Sequence, residues 1–388
     1  MAPRLPEPRV LMVLDATTAW SRGVLRGFST VARPKGWMLL RYHSTIDLGW
    51  LVQVWKPTVV ALQWSLHREV ASVLDSCTVI SINEDHSARG IASVCVDEAA
   101  IATLAAKHLV SKGLRDLTSF RLTHHPFGMA RERAFGEAVR AQGARLIPGW
   151  WSDSMEPPRS REVSGAILTW LQQLPKPCGI FACCDSWASV VSRYAQVAGV
   201  RIPEEVALVG VDNDNLDCEL AWPPLSSVCV PWRAVGEQVG ALVERALLGE
   251  PVAREKVVVP PVDVVARRST DVAVVRDARV ARATSWIAAH VGRRMTLPTI
   301  ARATACSRQT LERRFQVAIG RTVMQEVRRA RVDLARRLLS TTELPLPLIA
   351  ERCGFSSAAL LSVAFRRETG TPPGAYRRRF RGAPSEEE

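Results

Sequence analysis

No apolar run in the 388-residue chain approaches the roughly 18 residues needed to span a bilayer. Met1 to Arg9 holds three prolines and no apolar stretch, so no secretory leader is expected there. The nine cysteines are odd in number and form no CxxC pair, and Cys183 and Cys184 are adjacent. That spacing fits neither a disulfide framework nor a zinc site, so no metal or cofactor is expected, and reduced thiols in a cytoplasm are the expectation. Lysine is missing altogether from Asp277 onward, but arginine is not. The last 112 residues carry 21 arginines against 10 acidic residues, a net +11. Residues 1–276 hold 30 basic and 28 acidic residues, so nearly all of the overall +13 is C-terminal. A concentrated arginine excess is the electrostatic footprint of a polyanion. With 47% hydrophobic residues the chain is globular, and its length suggests two or three domains.

The front of the chain alternates strand and helix patterns. Val10–Leu14, Trp37–Tyr42, Val59–Leu62, Val79–Ile82, Leu117–Arg121, Cys178–Ala182 and Val206–Val211 read as buried strands. Ser21–Ala32, Glu98–Lys112 and Arg131–Gln142 read as helices between them. This alternation predicts an α/β architecture with parallel sheets, whose ligands bind beyond the strand C-termini. Those ends are polar: Asp15 and Thr17, Asn83 and Asp85, Asp185 and Ser186, Asp212 and Asn213. Carboxylates and amides at several strand ends are what a polyol pocket requires, although any single polar residue there also simply ends a strand. Val257–Val265 reads as a last strand-like run, and a polar, charge-mixed linker follows at 271–282.

Beyond the linker every segment reads as helix, and there is an internal near-repeat. Ile300-Ala301 recurs as Ile349-Ala350 at an offset of forty-nine. Ser307, Leu311, Phe315 and Gly320 recur as Ser357, Leu361, Phe365 and Gly370 at an offset of fifty, so the second copy has one extra residue beside Gly354. Each copy has the parts of a helix-turn-helix: a proline in the first helical turn, a small alanine where the helices cross, and a serine N-cap. An i, i+4 apolar pair buries one face of the second helix. The opposite face of the first copy is expected to present Arg308, Gln309, Arg313 and Arg314; Arg suits guanine and Gln suits adenine in the major groove. Ser356, Ser357, Ser362, Arg366 and Arg367 are the matching candidates in the second copy. A helix from about Thr322 to Ser340 joins the copies and spans about 30 Å, close to one DNA turn. One chain is therefore expected to engage two successive major grooves of double-stranded DNA. Arg331, on the joining helix, is expected to pack structurally.

The stretch Cys353-Gly-Phe-Ser-Ser followed by Phe365-Arg-Arg-Glu-Thr-Gly-Thr-Pro-Pro-Gly-Ala-Tyr-Arg377 resembles the signature of the AraC/XylS-type DNA-binding domain. The resemblance runs from about Ala283 to Arg379 and implies a DNA-binding domain at 283–380 with a tail at 381–388. One departure is that Ala359, Leu360, Leu361 and Val363 stand where the family often has aromatic residues and an arginine. The front resembles the periplasmic-binding-protein-like sensor of LacI-type regulators, on stretches such as Ile180-Phe-Ala-Cys-Cys-Asp185 and Ile202-Pro-Glu-Glu-Val-Ala-Leu-Val-Gly-Val-Asp212. This implies a two-lobed sensor over 9–270, with lobes at 9–115 plus 232–255 and at 116–231 plus 256–270. The fusion, together with Val259-Pro-Pro-Val-Asp-Val-Val-Ala-Arg-Arg-Ser-Thr-Asp271, resembles the xylose operon regulator group. It implies a homodimeric activator that binds a pentose such as xylose and works with RNA polymerase. By that resemblance the effector contacts fall on the Asp15–Trp20 loop, on Arg131 or Arg133, and on Asp185 and Asp212. Trp20 and Trp187 are candidates to stack on a sugar face, or to pack in the core.

Two rival readings remain. A Cys-dependent enzyme needs a base and an oxyanion site beside Cys183 or Cys184, and no nucleophile-elbow glycines are present. A DNA-binding protein with a degenerate sensor predicts no ligand response. His124–His125 and the Asp212/Asp214/Asp217 group are weak metal patterns.

Overall fold

The computed structural model describes residues 8–14, 17–42, 47–63, 77–122, 126–152, 161–272 and 277–381. The chain divides into two compact units, Met1–Ile101 with Val230–Pro261, and Ala102–Cys229 with Val262–Glu388.

The first unit starts with β1 (Arg9–Val13), α1 (Ala19–Ala32), β2 (Met38–Arg41), α2 (Leu48–Trp55), β3 (Val59–Leu62), β4 (Thr78–Ile82) and β5 (Ala92–Val96). The chain then leaves through α3 (Glu98–Ser111) and returns as α8 (Trp232–Leu247) and β12 (Lys256–Val259). The strands pair in the order β12-β5-β4-β3-β1-β2, each pair parallel. Val59–Leu62 and Ala92–Val96 are buried at every position, which is why these strands read as continuous apolar runs rather than alternating ones. Helices α1 and α8 meet backbone to backbone. A Cβ on Gly27 would lie 1.9 Å from the Arg233 carbonyl oxygen, and one on Gly236 2.0 Å from that of Val24.

The second unit opens with a second sheet. Its elements are β6 (Asp116–Leu122), α4 (Pro126–Ala141), β7 (Arg145–Leu146), β8 (Trp150–Ser152), α5 (Arg161–Gln173), β9 (Cys178–Ala182), α6 (Asp185–Val197), β10 (Val206–Val211), α7 (Asn215–Leu220), β11 (Ser226–Cys229) and β13 (Asp263–Val265). The order is β13-β11-β10-β9-β6-β7, with β8 also on β6. Only β13 runs antiparallel to its neighbour among these described pairs.

The chain ends in helices: α9 (Ala278–Ala289), α10 (Leu297–Ala303), α11 (Arg308–Ile319), α12 (Val323–Thr341), α13 (Leu346–Arg352), α14 (Ala358–Thr369) and α15 (Pro373–Arg381). Two small cores form here. Val280, Ile287, Ile300, Leu311, Phe315, Val323 and Val327 belong to the first. Val332, Ala335, Leu339, Ile349, Leu361, Phe365 and Tyr376 belong to the second. Helix α12 serves both, its buried positions moving from Val323 and Val327 to Val332, Ala335 and Leu339.

Three boundaries differ from the sequence reading. The run Val257–Val265 is two strands in two different sheets: Lys256–Val259 pairs with β5, Asp263–Val265 with β11, and Pro260-Pro261 break the run between them. Residues 256–259 therefore sit with the first unit rather than the second, and the first crossing falls near Ile101 rather than at 115. The linker expected to end at 282 ends at Asp277, whose carboxylate caps α9 by accepting from the backbone N–H groups of Arg279 (2.9 Å) and Val280 (3.3 Å).

Candidate nucleic-acid interface and effector site

Both recognition helices begin alike. The Ser307 hydroxyl accepts from the Thr310 N–H at 3.1 Å, and the Ser357 hydroxyl from the Leu360 N–H at 3.2 Å. Both end at a left-handed glycine, Gly320 at φ 68° and Gly370 at φ 76°. Leu311 and Phe315, and Leu361 and Phe365, are fully buried, so the remaining face of each helix points outward. Arg308, Gln309 and Arg313 are exposed on α11. Arg314 is not with them: its Nη1 is paired with the Asp277 carboxylate, tying α11 to the cap of α9. The reason is helical phase, since Arg314 falls beside the buried Leu311 and Phe315 stripe.

On α14 the exposed residues are Ala359, Leu360, Val363, Arg366, Arg367 and Glu368, with Ser356 and Ser357 exposed in the turn before it. Ser362 spends its hydroxyl on its own helix, donating to the Ala358 carbonyl at 2.8 Å. The joining helix α12 has 19 residues, about 28 Å at 1.5 Å per residue. Its start is fixed by a capping box between Thr322 and Gln325. Arg331 packs within the helical region: it donates to the Arg293 carbonyl at 3.0 Å and lies over the Phe355 ring.

Among the effector candidates, Asp15 lies outside the described residues. Thr17 is exposed, and Trp20 is half-buried with its ring 5.3 Å from that of Trp232 in the first unit. In the second unit the two arginines part company. Arg131 is 2% exposed, donates to the Cys183 carbonyl at the end of β9, and has its guanidinium over the Phe127 ring. Arg133, two residues on, is exposed beside Glu137 and Arg140 on the outer surface. A spacing of two puts them on different sides of α4, so only Arg131 sits at a strand end. Asp185 is 1% exposed; its Oδ2 accepts from the Asp214 N–H at 2.8 Å and its other oxygen lies against Gly210. Burial first, and the neighbouring Asp212 charge second, push its carboxyl well above the usual range. Asp185 thus braces the loop after β10. Trp187 is a core residue, 6% exposed with its ring 5.5 Å from that of Phe120.

Asp212 and Asn213 form that loop, and both have left-handed φ, 105° and 55°. Such backbone strain in a non-glycine pair is held only by surrounding contacts. Here the Ser227 hydroxyl accepts from the Asn213 N–H at 2.9 Å, and the Asn213 Oδ1 accepts from Arg267 Nη2 at 2.8 Å. At the corresponding place in the first unit, Asn83 after β4 also has φ 64°, and its Oδ1 is buried with no hydrogen-bond partner among the described residues.

Residues 106–270 match the periplasmic binding protein-like domain family, and residues 300–379 the helix-turn-helix domain family. The chain is 29% identical over 287 residues to the xylose operon regulatory protein of Escherichia coli K12, covering 73% of each. Over 102 residues it is 37% identical to a putative AraC-like transcription regulator of Streptomyces lividans, 26% of this chain and 34% of that one. The fold superposes on that of a xylose-binding transcription activator with a TM-score of 0.63 at 24% identity, over 95% of this chain and 97% of the other. The chain is an AraC-type helix-turn-helix transcription regulator with a periplasmic-binding-protein-like sensor domain.

The relatives are transcription regulators rather than enzymes, and the cysteines agree. The Cys184 thiol is pushed well up, mainly by burial, and its sulfur lies 3.3 Å from the Ser186 hydroxyl. A thiol held protonated is no nucleophile. Among the described residues no group of three acidic, His or Cys side chains is placed to hold a metal ion; His124 and His125 lie outside them. No helix among the described residues is long and apolar enough to cross a membrane.

The sequence reading missed Arg267 in the regulator, treating it as inter-domain passage. It is 4% exposed and donates to the Leu225 carbonyl as well as to Asn213. Asp263 was missed too. It pairs with Arg336 of α12, whose Nε also donates to the Tyr376 hydroxyl at 3.3 Å. A charged residue in a linker-like stretch carries no sequence mark of such contacts. Only the following helices' arginine excess hinted that some of it is internal.

Proposed function

We propose that this regulator responds to a small sugar, with a pentose such as xylose as effector, and that it activates transcription as a homodimer acting with RNA polymerase in the cytoplasm. The observation that carries the reading is the order of parts. A periplasmic-binding-protein-like sensor precedes an AraC-type reader, and the same order extends over 73% of the xylose operon regulatory protein of Escherichia coli. The strand-end chemistry supports it: Asp212 and Asn213 form a strained, half-buried loop of the kind that presents hydrogen-bonding groups to a polyol. Both recognition helices engage DNA, the first reading base edges through Arg308, Gln309 and Arg313, the second lying one groove on. Sugar binding favours the arrangement that engages the operator, which requires the sugar to bind that arrangement more tightly than the other.

The test is calorimetry with a panel of pentoses and hexoses, followed by footprinting with and without the sugar that binds. Xylose binding with a sugar-dependent footprint is expected. A panel with no binding sinks the sugar reading, and an identical footprint and affinity in both states sinks the coupling. Mass determination in solution checks the dimer.

A further inference from the structure

The two recognition helices carry opposite chemistry at equivalent positions. Their serine caps and buried Leu–Phe pairs fix the equivalence at an offset of fifty. Gln309 therefore corresponds to Ala359, and Arg313 to Val363. Ala359 is exposed, Leu360 is 55% exposed and Val363 68% exposed. The one polar side chain between Ser357 and Arg366 is Ser362, and its hydroxyl is turned back onto Ala358. This stretch of α14 thus offers methyl groups to whatever it meets. Just beyond it, Arg366 and Arg367 are exposed and cationic.

On the edges of the base pairs in the major groove, the C5-methyl of thymine is the one apolar group. Apolar side chains on a reading helix can gain from thymine and from no other base. Arg366 and Arg367, both on the C-terminal side of the apolar stretch, match the phosphates at one edge of such a groove, and the net +11 from Asp277 onward favours DNA over an apolar protein partner. We infer that α14 reads thymine methyl groups through Ala359, Leu360 and Val363, so that each half-site has one sub-site read by hydrogen bonds and a second, thymine-rich sub-site read by apolar contact. The inference rests on the reading above, in which both units engage DNA.

The experiment uses the full-length protein and an operator fragment selected from random DNA, with binding followed by fluorescence anisotropy. Each thymine is replaced by 2′-deoxyuridine, which deletes the C5-methyl and nothing else. In the second sub-site each replacement is expected to weaken binding about four-fold, the loss of one buried methyl. In the first sub-site it is expected to change little. Val363→Ala with Leu360→Ala, both on the exposed face, is expected to abolish the difference between thymine and uracil while the fold, followed by circular dichroism, is kept. Unchanged affinity after uracil replacement in the second sub-site overturns the inference, as does selection of G·C pairs there. Dissociation of a dimer by Val363→Ala with DNA affinity intact also overturns it, by assigning the face to protein. Absence of binding to every fragment, the unmodified one included, overturns the DNA reading together with it.

Discussion

Phe365→Ala tests whether the reader is two separable cores on one shared helix. Phe365 is fully buried, and its ring meets that of Tyr376 edge-on at 5.1 Å. Truncating a phenylalanine in such a site costs about 3–5 kcal/mol through lost burial and the cavity left behind. A whole domain is stable by only about 5–15 kcal/mol, so the second helix-turn-helix is expected to lose most of its stability. The first core shares no buried residue with the second, although α12 feeds both. Amide hydrogen exchange should therefore quicken in α13, α14 and α15 and change much less in α10 and α11. Footprinting should lose protection over the second sub-site while the first persists at reduced affinity. Phe315→Ala should do the reverse in exchange and abolish sequence-specific binding. If Phe365→Ala accelerates exchange equally in both halves, or costs less than about 1 kcal/mol, the two-core account is wrong.

Arg308→Ala and Gln309→Ala are each expected to cost about 1–3 kcal/mol of operator affinity and to relax base preference, read by anisotropy on operator and scrambled DNA; unchanged affinity of the double variant removes the first helix as reader. Gly236→Val puts carbon where the Val24 carbonyl oxygen stands 2.0 Å away, and should destabilise the first unit by about 3 kcal/mol in urea unfolding. Gly165→Ala, on α5 with no other part of the described structure within 4 Å of the new carbon, should instead stabilise by about 0.5–1 kcal/mol. His108, whose Nε2 lies 2.7 Å from the Thr270 hydroxyl, is held well below 6.5, by burial first and then by Lys112, Arg336 and Arg329. The unfolded chain takes up that proton more readily, so stability is full above pH 6.5 and is lost as pH falls below it, by up to about 1.4 kcal/mol per pH unit. Urea midpoints at pH 7.5 and 5.5 should show this slope flattened in His108→Gln.

The buried parallel strands were legible because burial on both faces leaves continuous apolar runs, as at Val59–Leu62 and Val206–Val211. The two reading units were legible because capping serines, Leu–Phe pairs and glycine ends repeat at fixed spacing. What the pattern did not carry was direction and pairing. Arg314 was grouped with the outer face, but it falls beside the buried Leu311–Phe315 stripe, where a residue distant in sequence, Asp277, pairs with it. Arg131 and Arg133 were indistinguishable until α4 gave them different sides. Val257–Val265 looked like one strand because both halves are apolar, and the choice of sheet is made by partners some 30 to 160 residues away in sequence. Trp187 and Asp185 turned inward, since a tryptophan and a carboxylate at a strand end serve core or ligand equally well until their neighbours are known.

Arg267 ties the loop after β10 to the segment that leads into the C-terminal helices. One side of its guanidinium holds the Asn213 amide oxygen at the strained end of β10, and the other holds the Leu225 carbonyl. Its own N–H is fixed by the Ser226 hydroxyl at 2.7 Å. A few residues earlier in the same segment, Asp263 pairs with Arg336 on the helix that joins the two reading units. Asn213 and α12 are thus joined by one short, partly buried stretch, a contiguous contact through which the two would be coupled under the proposed function. Arg267→Met keeps the bulk and removes the donors. It should leave xylose affinity by calorimetry within a few-fold of wild type. It should also collapse the ratio of operator affinities with and without xylose towards one, a ratio set by a coupling of about 1–3 kcal/mol. Arg267→Lys, which keeps one charged donor, should recover part of the ratio if the contact matters for coupling and not merely for folding. An unchanged ratio in Arg267→Met would mean that the message travels by another route, for which the Asn213–Ser227 bond and the β11–β13 pairing offer one.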